Sequence, residues 1–169
     1  LVSVEKEKYF HGITYGDNLF YMKADNMIQT VAKKNVNTGE LENWGAEAEL
    51  SWTIKEHWGI STNHSWLHQE NKLVSVPTYK GYLGVDWYSK KHKWMASVGL
   101  QQLAGLYTAV GKDEQKENVT LLNATVKYNL NKYISLWAKG ENLLAQEYEI
   151  LAGYPMPKAT AMGGVKVSF

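Results

Sequence analysis

Residues 44–54 read WGAEAELSWTI. Taken alternately, Trp44, Ala46, Ala48, Leu50, Trp52 and Ile54 fall on one side, and Gly45, Glu47, Glu49, Ser51 and Thr53 on the other. One side is wholly apolar and the other polar or small. A period of two is the mark of a β-strand, whose successive side chains point to opposite faces.

The same alternation recurs along the chain. Tyr79, Gly81, Leu83, Val85 and Trp87 oppose Lys80, Tyr82, Gly84, Asp86 and Tyr88. Trp94, Ala96, Val98 and Leu100 oppose Met95, Ser97, Gly99 and Gln101. Leu122, Ala124, Val126 and Tyr128 oppose Asn123, Thr125 and Lys127, and Ile134, Leu136 and Ala138 oppose Ser135, Trp137 and Lys139. The last segment sets Ala159, Ala161, Gly163, Val165, Val167 and Phe169 against Thr160, Met162, Gly164, Lys166 and Ser168. No stretch shows a convincing helical period. The segments run about 10 residues, longer than the usual 5 or 6 of soluble sheets and close to the 9–11 tilted residues that cross a bilayer.

The links alternate in length. Short ones are read at 55–57, 89–93 and 129–132, longer ones at 31–41, 68–76, 104–117 and 144–157. Transmembrane barrels pair short turns at one end with long loops at the other. Aromatic rings stand at both ends of the strands: Trp44, Trp58, Tyr79, Trp94 and Tyr133 at starts, Trp52, Trp66, Trp87 and Tyr128 near ends. With 7 Trp and 11 Tyr against 3 Phe, amphipathic rings dominate, as interfacial girdles require. The fold class that follows is all-β: an antiparallel up-and-down transmembrane β-barrel of about 8–9 strands, partial or closed small. Residues 1–169 form a single barrel segment, 1–11 weakly patterned, with no plug domain.

Energetics decide the inner face. A Lys or Arg on the lipid side at mid-membrane costs about 2–4 kcal/mol. Glu47, Glu49, Lys80, Asp86, Lys127, Lys139, Glu141 and Lys166 are therefore expected to face the lumen. Gly45, Gly84, Gly99 and Gly164 on that face ease its crowding. Asp17 is an exception, since it shares a side with Ile13, Tyr15 and Leu19.

Bulk composition narrows the function classes. Net charge is +1, from 18 basic and 17 acidic residues, which gives no global attraction for nucleic acid. Cysteine is absent, so disulfides and thiol chemistry are excluded. No run approaches the roughly 20 apolar residues of a membrane-spanning helix. Residues 1–8, LVSVEKEK, lack the form of a signal peptide, so the chain is read as mature or as cut from something longer.

Residues 139–144 read KGENLL, 146–150 QEYEI, 153–160 GYPMPKAT, and the chain ends VKVSF. In this order they resemble the C-terminus of TonB-dependent outer membrane receptors. Residues 18–31, NLFYMKADNMIQTV, and 44–67, WGAEAELSWTIKEHWGISTNHSWL, resemble earlier elements of the same family. Lys158 stands where the family often has Gly-Arg. The resemblance implies location in the outer membrane of a Gram-negative bacterium and contact with its lipid. It implies Phe169 as a signal read by the barrel-assembly machinery. It also implies, in the parent protein, a plug domain, TonB, and an iron-chelate, haem or cobalamin substrate.

No enzyme is expected, and no cofactor. G-x-S-x-G, P-loop and G-x-G-x-x-G patterns are missing. Glu47 and Glu49, roughly 7 Å apart by strand rise, suit a solvated lumen wall better than an acid–base pair. His64 and His68 share a side without a third metal ligand, so no metal site is expected. Tyr107, Tyr148, Tyr154 and Met156 lie on the long loops and are the candidate ligand contacts, since binding residues gather on loops held by a rigid scaffold. Two rival readings remain: a self-contained small barrel with a structural or adhesive role, and a soluble barrel with its apolar side inside.

Overall fold

The alternation is realised as one nine-stranded antiparallel sheet in a computed structural model that describes residues 2–10, 12–26, 28–31, 34–37 and 40–169. The elements in chain order are β1 (Val2–Phe10), β2 (Ile13–Ala24), β3 (Ile28–Val31), β4 (Lys34–Asn37), β5 (Leu41–Ile54), β6 (Trp58–Gln69), β7 (Tyr79–Tyr88), β8 (Trp94–Ala109), β9 (Gln115–Asn129), β10 (Ile134–Glu141), β11 (Glu149–Leu151), β12 (Tyr154–Pro155) and β13 (Thr160–Val167). The large sheet has the order β1-β2-β5-β6-β7-β8-β9-β10-β13. Each strand thus pairs with the next one in sequence, apart from two small hairpins, β3–β4 and β11–β12, carried in loops. The weakly patterned start is a full member: β1 pairs with β2 over nine positions. Among the described residues, β1 and β13 are the sheet's two edges and do not pair with each other, which disfavours a self-closed small barrel.

Register puts like with like. Tyr15, Leu50, Thr62, Leu83, Leu100 and Leu122 stand in one cross-strand row. Toward one end lie Tyr21, Trp44, Trp66 and Tyr79, and toward the other Trp52, Trp58, Trp87, Trp94 and Tyr128. Trp94 packs on Tyr128 at 4.4 Å between ring centroids. Trp44 and Trp52, Trp58 and Trp66, and Tyr79 and Trp87 are each eight residues apart. That is about 27 Å along a strand, or about 20 Å along the membrane normal at a 35–45° tilt, close to the height of an outer membrane barrel's apolar band. Between the rings, Leu83 and Val98 are each 46% exposed. Large aliphatic chains on this face are therefore not packed round a dry centre, and the soluble barrel with an apolar interior does not describe this sheet.

The opposite face carries every charge that the sequence assigned to the lumen, and it is shaped by rings lying flat on glycines. A Cβ on Gly45 would fall 2.5 Å from the Phe20 ring, and one on Gly99 2.9 Å from Tyr82. Gly84 likewise lies under Tyr82, and Gly164 under Trp137. The glycines leave room for a neighbouring strand's ring to cover the backbone. The clefts of the molecule draw on this same face, so it is the hollow side.

Links at one end are short: 55–57, 89–93 and 130–133. At the other end they are long, with boundaries that differ from the sequence reading. The first long link spans 25–40 and contains β3–β4, because β2 stops at Ala24. The stretch 104–117 is mostly strand, since β8 reaches Ala109 and β9 begins at Gln115. A bulge at Gly105 (φ +66°) shifts the register there and breaks the alternation. Asp17 stands opposite Ala48 on the apolar face, midway between the two ring bands, as its sequence position predicted.

Candidate functional site

The long-loop end is an interlocked structure of its own. Leu103, Leu106 and Val119, at the outer ends of β8 and β9, are buried, and Leu121, Tyr148 and Ile150 pack against them. The segment between β10 and β13 therefore folds back across the hollow face of the β8–β9 hairpin. The Ser75 hydroxyl donates to the Ile150 carbonyl at 2.9 Å and its amide to the Tyr107 carbonyl at 2.8 Å. The Ala152 amide donates to the Thr108 carbonyl at 3.0 Å. The link 70–78 and the segment 142–159 are thereby tied to each other and to the end of β8 by backbone groups that water would otherwise satisfy.

Asn142 anchors the fold-back. It is 5% exposed, in the left-handed region at φ +47°. Its Oδ1 accepts the Gln146 amide at 3.0 Å, and its Nδ2 donates to the carbonyls of Gln146 at 2.8 Å and Pro157 at 3.1 Å. Its own amide donates to Asn123 Oδ1 at 2.9 Å. Asn is the non-glycine residue best suited to this backbone region, and its amide satisfies both ends of the loop at once. Leu143 lies over Gly140, on the apolar face.

The four loop residues singled out from the sequence do not form one cluster. Tyr148 belongs to the small core, where burial first and then the charge of Glu141 push its phenol above its ordinary pKa. Met156 is half-buried beside it, its amide donating to the Tyr148 carbonyl at 2.9 Å. Tyr154 is 67% exposed at the β11–β12 turn. Tyr107 faces a different group: Lys72 and Lys116 place their ammonium nitrogens 5.2 and 5.5 Å from its ring centroid. Lys72 also pairs with both Glu114 oxygens, at 2.8 and 2.7 Å, and that hydrogen bond raises its pKa. Sequence reading missed Ser75, Lys72, Glu114 and Asn142 as a working set. Asn142 alone had a signal, its place in KGENLL.

Several clefts draw on the polar wall. One of about 630 Å³ is lined by Glu47, Glu49, Asn63, Ser65 and Lys80 among others. Glu47 accepts Asn18 Nδ2 at 3.1 Å and Ser65 Oγ at 3.5 Å. Asp86 borders a second cleft of about 270 Å³, and Lys127 and Lys166 a third of about 470 Å³. Lys139 is paired with Glu141. His64, on the apolar face, is held between Thr62 Oγ1 at 2.9 Å and Tyr79 OH at 2.7 Å. Both ring nitrogens are engaged in these bonds. Phe169 lies beyond β13, fully exposed.

Residues 6–143 match the family described as TonB dependent receptor-like, beta-barrel. The chain belongs to that family. TonB-dependent receptor barrels are outer membrane proteins of Gram-negative bacteria, and they serve as receptors and transporters. The solved structures of other members superpose over nearly all of this TonB-dependent receptor segment. The copper transporter OprC aligns with a TM-score of 0.79 and 15% identity, over 99% of this chain and 30% of its own. The siderophore receptor PiuA of Acinetobacter baumannii gives 0.77 and 17%, over 96% and 27%. A variant of the ferric enterobactin receptor PfeA of Pseudomonas aeruginosa gives 0.79 and 15%, over 99% and 30%. At such identity the likeness is one of fold. The chain spans about a third or less of the length of these receptors. No curated protein sequence matches it.

Proposed function

We propose that this segment supplies wall, external loops and assembly signal to an outer membrane receptor that takes up an iron chelate, haem or cobalamin. The nine strands form part of the wall, apolar face to lipid and charged face to the lumen. In the whole protein a plug domain would occupy that lumen and draw on TonB for energy. The segment itself has no catalytic part.

The observation that carries the reading is the division of labour between the two ends. A ring band stands at each end of the strands, with short turns beyond one and a locked set of loops beyond the other. Tyr107, Tyr154, Met156 and the outer edge of Tyr148 are the ligand contacts proposed on those loops. Phe169 is proposed as the assembly signal, since it follows the last lipid-facing residues Val165 and Val167 in phase and lies free. Siderophore and iron receptors among the structural neighbours favour an iron chelate.

The test uses the full-length protein with residues 146–156 replaced by a short Gly-Ser link. The variant is expected to reach the outer membrane and keep its heat-shifted migration in detergent, while losing binding of ferric chelates. Unchanged chelate binding by a correctly inserted variant would refute a ligand role for these loops. Deleting Phe169 alone is expected to slow membrane insertion without changing ligand affinity in the molecules that insert.

A further inference from the structure

The short-turn end of the hollow face carries a concentration of positive charge that the transport reading leaves unused. One cleft of about 470 Å³ is lined by Lys91, His92, Lys93, Lys127, Lys132 and Lys166, with asparagine and serine side chains between them. No carboxylate lines it. The ion pairs formed among the described residues engage Lys23, Lys72, Lys139 and Lys158, so these five lysines have no acidic partner.

The positions are fixed by the backbone. The turn carrying Lys91–Lys93 is tied to β9, because Asn129 Nδ2 donates to the His92 carbonyl and the Asn129 amide to the Lys93 carbonyl, both at 2.8 Å. The turn carrying Lys132 is closed by Asn131 Oδ1, which accepts the amides of Tyr133 at 2.8 Å and Ile134 at 2.9 Å. Lys132 itself rests 4.7 Å from the Tyr133 ring centroid. Ser168 is held by the Tyr133 carbonyl at 2.8 Å. Three chain segments thus hold like charges round one hollow, where they repel until an anion enters.

We propose that this cleft binds a multivalent oxyanion of the phosphate class. All 18 basic residues of the chain are lysines. Lysine binds phosphate as a compact point charge, and an oxyanion of multiple charge answers several such lysines at once. The serine hydroxyls and asparagine amides between the lysines add neutral donors. Lys127 and Lys166 stand on the lumen face and the other lysines on the turns, so the anion enters from the short-turn mouth. The phosphate comes either from solution or from a lipid headgroup at the rim.

The test compares the full-length protein with a Lys127→Gln, Lys166→Gln variant, both in zwitterionic detergent and in vesicles. Glutamine removes the charge and keeps most of the stem, and heat-shifted migration confirms folding. A second variant, Lys34→Gln with Lys112→Gln, removes two charges at the opposite end. Calorimetric titration with pyrophosphate is expected to show binding that weakens with salt. It should fall roughly ten- to a hundredfold in the first variant and stay unchanged in the second. Binding seen only with vesicles containing phosphatidylglycerol, and lost in the first variant, supports the site and assigns the phosphate to a headgroup. No binding of either probe, or equal binding by the first variant, overturns the proposal. So does binding of a hexaglutamate peptide in the absence of binding by either phosphate probe, which would assign the cleft to an acidic polypeptide.

Discussion

Replacing Asn142 measures how much one buried amide holds the outer loops together. Its side chain makes three hydrogen bonds, to the Gln146 amide, the Gln146 carbonyl and the Pro157 carbonyl. Asn142→Ala leaves all three groups unpaired in a place where the residue is 5% exposed. At about 1 kcal/mol per bond, the loss is about 3 kcal/mol. Alanine at φ +47° adds about 1 kcal/mol of backbone strain, which Asn142→Gly avoids. Asn142→Asp keeps the acceptor but at neutral pH turns a carboxylate oxygen toward two carbonyls. That near-isosteric change is expected to be at least as harmful as alanine and to recover partly below the carboxylate range. The strands of the sheet do not depend on this residue, so the loss falls on the fold-back between β10 and β13. Together these come to about 4 kcal/mol, so amide exchange followed by mass spectrometry on residues 142–158 should quicken up to about a thousandfold in Asn142→Ala, with the strands unaffected. Slow exchange retained in both the alanine and the aspartate variants would refute the assignment of Asn142 as anchor.

Leu83 lies midway between its two ring neighbours on the apolar face, so Leu83→Lys should cost about 2–4 kcal/mol of barrel stability; Gln101→Lys, on the hollow face, should cost under about 1 kcal/mol. Reversible unfolding in urea with lipid vesicles compares the two, and equal costs would contradict the assignment of faces. A Cβ on Gly105 would fall 2.0 Å from Thr78 Oγ1 at φ +66°, so Gly105→Ala should lower stability by about 2–3 kcal/mol, partly restored by Thr78→Ala; a thermal melt that Gly105→Ala leaves unmoved would contradict this. The hydrogen bond from Lys158 holds the Glu147 carboxyl below its ordinary pKa. The support this pair gives the loop is present above the ordinary carboxylate pKa and is lost as pH falls through the lowered one. Lys158→Ala should return Glu147 to the ordinary value in a carbon-detected NMR titration, and an unmoved midpoint would rule out Lys158 as the cause.

What could be read in the sequence is what a period of two controls. The faces of β5, β7, β8, β9, β10 and β13 follow residue by residue, because each side chain's side is fixed by parity once the strand is known. The glycines under Phe20, Tyr82 and Trp137 could be placed on the hollow face by the same parity, though not the rings that cover them. Asp17 was visible as an exception for the same reason. The outer ends of β8 and β9 were not visible, since the register shifts at the bulge around Gly105 and again between Tyr107 and Ala109. The hairpins β3–β4 and β11–β12 are too short to show any period. Tyr148 was read as a loop residue and lies in a small core, because its neighbours Leu106 and Val119 come from strands about 30 to 40 positions earlier. Asn142 belonged to a recognisable pattern, but its work is done on a carbonyl 15 positions away.

The edges give the sheet its final constraint. Within a bilayer, each unpaired backbone group costs several kcal/mol, so β1 and β13 cannot both face hydrocarbon unpaired. Among the described residues they stand at opposite ends of the strand order and do not pair. Closure of nine strands on themselves would narrow the lumen to a width that side chains nearly fill, yet the hollow face here keeps clefts of about 630 and 470 Å³. Flanking strands of a longer barrel would satisfy the edges without that crowding. The likeness to receptors of which this sheet covers about 30% fits the same solution.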